Sequence, residues 1–232
     1  MLLYIIRHGE PIYEPDILTE LGHLEADAVA ERLAIHGLDR IFCSPLGRAR
    51  QTAEPTCRKL GLEAQIEPWT REIWPELAVT HEDGGMTFAM SLDNTRYRDP
   101  DIQALGWEWY KADFLKTIDG KGTFEWLAER SDDFLERLGF RREGNNYRVL
   151  RKNDERVALF CHAGFSLAWL SHLLMIPPQM MWSSFDITHT GITILEWKTD
   201  CEITAPKCLC LSDLSHFMSA GLEMKYNNRL EI

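Results

Sequence analysis

The sequence predicts an α/β fold built on a mostly parallel central sheet. Residues 2–6 form a short apolar run without polar alternation, which is typical of a strand buried on both faces. Residues 157–161 form a second run of this kind. Each run leads into a histidine and then small residues, and helical patterns separate the strand-like segments. That alternation favours parallel strands connected by helices.

Length and composition indicate one globular domain. The 232 residues are 45% hydrophobic and 26% charged, as in ordinary globular proteins. No repeat, low-complexity run or linker divides the chain, so we expect a single domain over residues 1–232. The formal charge of −11 would repel nucleic acid and anionic membranes, and neither is expected as a partner.

Cysteine usage favours a reducing compartment. The six cysteines are Cys43, Cys57, Cys161, Cys201, Cys208 and Cys210. Most are far apart, and the Cys208–Cys210 spacing does not match a zinc loop, so we expect reduced thiols. Met1 opens directly into a strand without a basic leader, so we expect no signal peptide and a cytoplasmic protein.

One stretch is long enough to cross a bilayer. Residues 157–185 contain no Asp, Glu, Lys or Arg. They do contain His162, Gly164 and the pair Pro177 and Pro178. These breakers favour a buried strand, a tight turn and a buried helix, and a single membrane span is the weaker alternative.

The first elements can be placed from their start and stop signals. A proline-marked loop occupies residues 11–16, and Thr19 is the predicted N-cap of a helix that stops near Gly37. A short strand follows at 40–43. Ser44 is the predicted cap of a second helix, with Pro45 at its first position and a kink at Pro55.

The middle of the chain has the weakest patterns. A weak strand at 64–67 leads into an irregular stretch with two acids, Glu72 and Glu76. Residues 80–121 are the least regular and are rich in aromatic side chains. They favour either a lid or binding loop, or a helical insertion that packs its own aromatics.

The last third returns to regular patterns. We predict a helix over 123–138, a hairpin around the turn at 144–146, and the central strand at 157–161. A helix follows that strand as far as Leu174. Final strands are predicted at 191–197 and 207–211.

Three predicted strand ends supply basic side chains. Arg7 and His8 follow the first strand, Arg48 lies one turn into the helix after the second, and His162 follows the central strand. Carboxyl ends of parallel neighbours meet at one edge of a sheet, where ligands bind in open α/β folds. Two guanidiniums and two imidazoles, with no acid in the same motifs, favour a tetrahedral anion such as phosphate.

These motifs, taken in order, resemble those of the histidine phosphatase superfamily, the phosphoglycerate mutase-like proteins. The matching motifs are Arg7-His8-Gly9, Leu18-Thr19-x-x-Gly22, Ser44-Pro45-Leu46-x-Arg48-Ala49-x-Gln51-Thr52-Ala53, Glu72, and Cys161-His162-Ala163-Gly164. The resemblance runs from residue 1 to about 197 and covers 80–121 least. It implies a three-layer α/β/α fold, with helices on both faces of the sheet.

The resemblance also implies a mechanism without metal or other cofactor. His8 would be the nucleophile that forms a phosphohistidine, while Arg7, Arg48 and His162 would bind the transferring phosphoryl group. Glu72 would protonate the leaving oxygen. His8 must attack through a neutral nitrogen, so its other nitrogen is expected to donate to a backbone carbonyl. No metal-ligand spacing occurs among the eight histidines.

The acid and the substrate contacts are less sharply indicated. Glu76 lies close to Glu72 in sequence, and Glu10 follows the His8 motif directly, so both are alternatives to Glu72 as the acid. Glu10, Tyr13 and Thr19, close to the first motif, are predicted to contact substrate. Tryptophans at 69, 74, 107 and 109 indicate either a pocket for an apolar leaving group or ordinary core packing.

The predicted reaction is hydrolysis of a small phosphomonoester. Many relatives follow the first motif with Thr and later Asn, where this chain has Pro11 and Glu14. A carboxylate at that place would repel acidic substrates such as phosphoglycerate. A mutase or bisphosphatase, and a non-catalytic binder of phosphorylated ligands, are the alternatives. The sequence leaves both the physiological substrate and homo-oligomer formation open.

Overall fold

The computed structural model describes residues 1–226 and 228. Its strands alternate with helices along most of the chain, as the sequence predicts. The strands are β1 (Leu2–Arg7), β2 (Pro11–Ile12), β3 (Ile17–Leu18), β4 (Arg40–Cys43), β5 (Ala64–Ile66), β6 (Ala78–Thr80), β7 (Met86–Phe88), β8 (Phe140–Glu143), β9 (Asn146–Val149), β10 (Arg156–Cys161), β11 (Ile192–Glu196), β12 (Ile203–Thr204) and β13 (Lys207–Asp213).

The helices differ greatly in length. The four longest flank the central sheet or connect its strands, and the short ones lie between residues 94 and 104 and after residue 177. They are α1 (Glu20–Ala34), α2 (Gly47–Leu60), α3 (Asn94–Tyr97), α4 (Pro100–Ala104), α5 (Gly120–Arg137), α6 (Ala163–Leu174), α7 (Pro178–Trp182) and α8 (Ser215–Ala220).

The central sheet has six strands in the order β13-β11-β1-β10-β4-β5. β1, β10, β4 and β5 pair in parallel, whereas β11 is antiparallel to both β1 and β13. The mostly parallel sheet predicted from the sequence is therefore confirmed. β1 lies at the centre of the sheet, which explains why its sequence is apolar on both faces.

Alternate residues of β1 point into two separate cores. Leu3 and Ile5 belong to the larger core, which includes residues of α5 and α6. Ile6 belongs to the smaller core, which includes Val29 and Leu33 of α1. Because successive strand side chains face opposite sides of a sheet, helices cover both faces. This arrangement is the predicted three-layer α/β/α fold.

The start of α1 matches its prediction, but the start of α2 does not. Thr19 Oγ1 accepts a hydrogen bond from the Gly22 amide at 3.0 Å and caps α1. α2 begins at Gly47, two residues after the predicted start, and its first amide donates to Asp16 Oδ2 at 2.6 Å. Ser44 is not the cap, because its hydroxyl contacts His162. α2 also continues through Pro55 to Leu60.

The segment between β6 and α5 is more regular than its sequence predicts. It contains the β6–β7 hairpin, α3, α4 and several 3₁₀ turns. Its Tyr97 and Trp109 are buried, and both rings contact Trp182 of α7 edge to face, at 5.9 and 4.8 Å between centroids. These aromatics therefore pack as core residues, as the helical-insertion interpretation expects.

The long uncharged stretch forms β10, α6 and α7. α6 is almost wholly buried against the sheet and α5, which explains its lack of charge. Across residues 1–226 and 228, no helix combines the length and apolar character needed to cross a membrane. All six cysteines are free thiols, and Cys43 and Cys161 are buried.

Candidate active site

The two histidines of the motifs lie side by side at one edge of the sheet. β1 and β10 pair in parallel with Arg7 opposite Cys161, so the residues that follow both strands are neighbours. The rings of His8 and His162 have centroids 5.2 Å apart, and both side chains are buried. Sheet register alone therefore brings together two residues that are 154 positions apart in the chain.

His8 has a defined tautomer. Its Nδ1 lies 2.7 Å from the carbonyl oxygen of Gly9, which can only accept, so Nδ1 donates the proton. Nε2 is then the nitrogen with the free lone pair. Burial, followed by the nearby His162 and Arg7, lowers the pKa of His8 well below 6.5. The imidazole is therefore neutral, as a nitrogen nucleophile must be.

His162 is held by a serine from the next strand end. Ser44 Oγ lies 2.7 Å from His162 Nε2 and also accepts from the Leu46 amide at 3.3 Å. That second bond favours the hydroxyl as donor to Nε2, which leaves the proton of His162 on Nδ1. Burial, with Arg48 and Arg7 nearby, lowers the pKa of His162 well below 6.5.

Arg7 is anchored by contacts that the sequence analysis missed. Its Nη1 donates to the Ile187 carbonyl at 2.6 Å, and Nη2 lies 2.9 Å from His189 Nε2. The His189 ring is also 5.7 Å from the His8 ring. Burial, and then Arg7, lower the pKa of His189 to about 3, so it accepts from the guanidinium.

His189 could have been found from the topology of the sheet. It lies just before β11, which is antiparallel to β1. The beginning of an antiparallel strand meets the same edge as the carboxyl ends of its parallel neighbours. A polar residue at that place is therefore a candidate, but only once β11 is known to lie beside β1.

Arg48 has a carboxylate partner, which comes from outside the motifs that carry the basic side chains. Asp16 Oδ1 lies 2.6 Å from Arg48 Nη1. Asp16 comes from the proline-marked loop, far from Arg48 in sequence, so motif spacing could not reveal the pair. Tyr13 of the same loop covers the guanidinium, with its ring centroid 5.2 Å from Arg48 Cζ.

At this site, three buried donor nitrogens lack an acceptor within the described part of the chain. They are Arg7 Nε, Arg48 Nε and His162 Nδ1. Buried donors normally find an acceptor, so a cluster of three that do not indicates an external one. Arginine forks and imidazole N–H groups suit the oxygens of a tetrahedral anion.

Glu72 lies across the cavity, at the N-terminus of α6. Its carboxylate oxygens accept from the amides of Phe165 at 2.8 Å, Ile73 at 3.1 Å and Gly164 at 3.2 Å. Burial raises the pKa of Glu72 despite these three bonds. A carboxyl group that retains its proton above the ordinary range is suited to act as a general acid.

Gly164 permits this close approach. A Cβ atom at residue 164 would lie 2.2 Å from Phe88 Cε1 and 2.8 Å from Glu72 Oε1. Both distances are shorter than contacts that Cβ atoms make in proteins. The glycine therefore lets the Glu72 carboxylate and the Phe88 ring pack directly against the start of α6.

The two alternative acids have other partners. Glu76 forms an ion pair with Arg71. Partial burial acts to raise the pKa of Glu76. The hydrogen bond from Arg71 outweighs burial, so the pKa of Glu76 lies below its ordinary value. Glu10 Oε2 accepts from the Thr19 hydroxyl at 2.6 Å, at the start of α1.

A cavity of about 690 Å³ lies over these groups. Among the described residues, Tyr13 lines it, whereas Glu10 and Thr19 do not. Its lining consists of Arg7, His8, Tyr13, Leu46, Arg48, Arg71, Glu72, Trp74, Pro75, Phe88 and Ser91. Of the four tryptophans singled out from the sequence, Trp74 reaches this cavity, while Trp69 and Trp109 are buried in the core.

The described side chains of this site do not form a metal-binding cluster. Within residues 1–226 and 228, no group of three or more His, Cys, Asp or Glu side chains is placed to hold a metal ion. The polar groups of the cavity are instead mainly hydrogen-bond donors. Their chemistry suits an anion.

A three-layer α/β/α fold with paired histidines and arginines at the carboxyl edge of the sheet is typical of phosphoglycerate mutase-like proteins. Comparison with known families agrees. The model of the histidine phosphatase superfamily (branch 1) matches residues 3–205, and the chain belongs to this superfamily.

Curated relatives match over a shorter stretch. The chain is 35% identical over 80 residues to a protein of Photorhabdus laumondii named probable phosphoglycerate mutase GpmB. That match covers 31% of this chain and 37% of the relative. The equivalent protein of Yersinia pestis is 34% identical over the same length.

Solved structures match over nearly the whole chain. A phosphoserine phosphatase from Entamoeba histolytica has a TM-score of 0.62 at 19% identity and covers 93% of this chain and 98% of its own. The alpha-ribazole phosphatase of Shigella flexneri has a TM-score of 0.60 at 17% identity, covering 92% and 96%. At these identities the likeness concerns the fold.

Proposed function

We propose that the protein is a phosphatase that hydrolyses a small phosphomonoester through a phosphohistidine on His8. The observation that carries this proposal is the cluster of donors without an acceptor, Arg7 Nε, Arg48 Nε and His162 Nδ1, around a neutral imidazole. Membership of the histidine phosphatase superfamily supports it. So does the likeness in fold to a phosphoserine phosphatase.

In the first step His8 attacks the phosphorus through Nε2. The new N–P bond forms as the bond between phosphorus and the ester oxygen breaks. Glu72 gives its proton to that leaving oxygen, and the raised pKa of its carboxyl group makes a proton available. The Gly9 carbonyl holds the other nitrogen of His8 and so keeps the lone pair of Nε2 directed at the substrate.

In the second step water replaces the imidazole. Glu72, now a carboxylate, accepts a proton from the water as its oxygen bonds to phosphorus. The N–P bond breaks, and inorganic phosphate leaves with His8 neutral again. One carboxyl group thus acts as acid and then as base, which conserves protons over the cycle.

Charge stabilisation comes from Arg7, Arg48 and His162. Phosphoryl transfer requires little covalent chemistry from the protein and depends on fixed positive groups around the equatorial oxygens. Arg7 is fixed by Ile187 and His189, Arg48 by Asp16, and His162 by Ser44. These residues perform the role that Mg²⁺ has in other phosphoryl-transfer enzymes.

Hydrolysis is favoured over transfer between phosphoglycerates. The loop from Pro11 to Ile17 is short, contains Glu14, and directs Asp16 onto Arg48. Glu14, an exposed carboxylate next to the Tyr13 that lines the cavity, opposes a second acidic group on the substrate. Mutase activity is the alternative to test, because a relative that matches part of this chain is named probable phosphoglycerate mutase. Six free cysteines support a cytoplasmic location.

The test is phosphate release from p-nitrophenyl phosphate, with acid-labile phosphohistidine trapped by rapid quenching and mass spectrometry. We expect turnover and a labelled His8. His8→Ala is expected to lower kcat at least about 10³-fold and to abolish the label. His23→Ala, a change at an exposed histidine of α1, is the matched control.

Two results would contradict the proposal. One is phosphate binding without turnover, which would identify a binder. The other is interconversion of phosphoglycerates faster than phosphate release, which would identify a mutase.

A further inference from the structure

Three aromatic side chains surround the entrance to the cavity that contains His8. We call Tyr13, Trp74 and Phe88 the aromatic rim. Trp74 and Phe88 pack edge to face with ring centroids 5.3 Å apart, and Tyr13 lies over the Arg48 guanidinium. Trp74 remains 39% exposed and Tyr13 65% exposed. When a ligand covers exposed apolar rings in a cavity, their surface is removed from water, and this burial favours binding.

The rim belongs to the same space as the nucleophile. A second cavity of about 700 Å³ adjoins it and shares Arg7, Glu72 and Phe88. That second cavity is the more polar of the two, and its lining includes Asn94 and Ser183. His8, Arg48 and Trp74 line only the first cavity. A phosphoryl group seated on His8 lies in the first cavity, whereas Glu72, the proposed proton donor to the ester oxygen, lines both cavities, as do Tyr13 and Phe88 of the rim.

The charges at this entrance are already paired. Arg71 lines the cavity, but its guanidinium is held by Glu76. Arg48 is held by Asp16 beneath the Tyr13 ring. Apart from the phosphate-binding groups, the lining of this cavity includes two further apolar residues, Leu46 and Pro75. A leaving group rich in hydroxyls or carboxylates would lose water there in exchange for apolar contacts.

We propose that the preferred substrates are phosphomonoesters whose leaving group carries a flat apolar or aromatic ring, held between Tyr13 and the Trp74–Phe88 pair. The inference rests on the proposed phosphatase function. It adds the class of leaving group and names Trp74 as a specificity-determining residue.

The test compares 2-phenylethyl phosphate, ethyl phosphate and glycerol 2-phosphate. All three are alkyl esters, so differences in rate reflect the cavity more than the acidity of the leaving alcohol. We expect kcat/KM of the wild-type protein for the phenylethyl ester to exceed that for the other two at least about tenfold, since an aromatic contact and its burial are worth this much.

Variants locate the effect. Trp74→Ala is expected to raise KM for the phenylethyl ester about tenfold and to change kcat/KM for ethyl phosphate much less. Trp74→Leu keeps apolar volume and should retain part of the preference. Trp107→Ala is the matched control, since Trp107 is 41% exposed and lies outside both cavities.

The possible outcomes separate this inference from the function on which it rests. Equal or faster hydrolysis of glycerol 2-phosphate, with phosphohistidine still formed, would overturn the inference and assign the leaving group to the polar cavity. A Trp74→Ala variant that slows all three esters equally would also overturn it. Absence of phosphohistidine in the wild-type protein would instead remove the proposed function itself.

Discussion

The site has two halves that are built in different ways. Arg7 is the last residue of β1, and His8 and His162 directly follow β1 and β10. Arg48 is the second residue of α2, the helix after β4. We call these four residues the basic half. Glu72, Trp74 and Phe88 come from the segment after β5 and from β7, outside the central sheet; we call these three the acid half.

The difference shows in burial and in anchoring. His8, Arg48 and His162 are 2%, 7% and 0% exposed, whereas Trp74 is 39% exposed. Strand register fixes the basic half, while Glu72 is fixed by amides of α6. Buried groups fixed by the sheet are suited to charge stabilisation, and the exposed ring of Trp74 is suited to choosing the ester. Changes in one half should therefore alter different rate constants from changes in the other.

Loss of the acid is expected to have the largest effect. Glu72→Gln should lower kcat for an alkyl ester by about 10²–10⁴-fold, because the leaving alkoxide then lacks a proton donor. The loss in kcat/KM should be much smaller for p-nitrophenyl phosphate, because its leaving group needs no proton and kcat/KM reports the first step rather than the later hydrolysis of phosphohistidine, in which Glu72 is the base. Steady-state kinetics on both esters measures the contrast.

Glu76→Gln is the control for that change and should remain near wild type, because Glu76 pairs with Arg71. Loss of activity in Glu76→Gln together with normal activity in Glu72→Gln would move the acid to Glu76.

Arg48→Lys tests the basic half. The Asp16 contact occupies one guanidinium nitrogen, so only a planar fork leaves further donors for a phosphoryl oxygen. We expect kcat to fall about 10²–10³-fold for both alkyl and p-nitrophenyl esters, as when one transition-state donor is removed. Arg50→Lys, two residues further along α2 on its exposed side, should be neutral. A loss restricted to alkyl esters would contradict the division into halves.

The pH profile tests both halves together. Burial lowers the pKa of His8 well below 6.5 and raises that of Glu72 above 4.5. An imidazole nucleophile of pKa about 6.5 would be roughly 30-fold less active at pH 5, because it binds a proton as pH falls. We expect no such loss in kcat/KM for an alkyl ester.

The opposite limb belongs to Glu72. As pH rises through its raised pKa, Glu72 loses the proton that the leaving oxygen requires, so activity on alkyl esters should fall. Glu72→Gln should abolish this limb. An acidic limb centred near 6.5 in kcat, which does not report the ionisation of free substrate phosphate, would show that His8 is not held neutral.

Gly164→Ala is expected to give the smallest effect and to act on the acid half alone. The new Cβ would press on Phe88 and Glu72. Such overpacking costs about 1–3 kcal/mol of stability and should lower kcat for alkyl esters about tenfold. Phosphohistidine formation from p-nitrophenyl phosphate should persist. Thermal unfolding measures the loss of stability. An equal loss of activity on the alkyl and p-nitrophenyl esters would contradict an effect limited to Glu72 and Phe88.

The basic half was largely predictable, because its residues follow strands that are visible as apolar runs. Residues 2–6 and 157–161 mark β1 and β10, and parallel pairing brings His8 and His162 together. The partners of those residues were not predictable. Asp16 and His189 lie on a loop and before an antiparallel strand, and their contacts depend on how the chain returns to the sheet.

The predicted cap of α2 shows the same limit. Ser44 is a residue type that favours the N-cap position, yet its hydroxyl forms a hydrogen bond with His162. The carboxylate of Asp16 accepts from the first amide of the helix instead. Local preference was overridden because the buried His162 imidazole needs a hydrogen-bond partner, while Asp16 supplies an acceptor to the first amide of the helix. The segment 80–121 was the least predictable, since its short helices are stabilised by packing of Tyr97 and Trp109 rather than by their own sequence.

By itself the sequence determined the sheet class, the order of its elements and the four basic residues that meet at its edge, because periodicity and strand ends are local properties. Tertiary structure alone decided which carboxylate faces α6, which side chains hold the arginines, and which aromatic rings surround the entrance. Those features depend on contacts between segments far apart in the chain, and no local pattern encodes such distances.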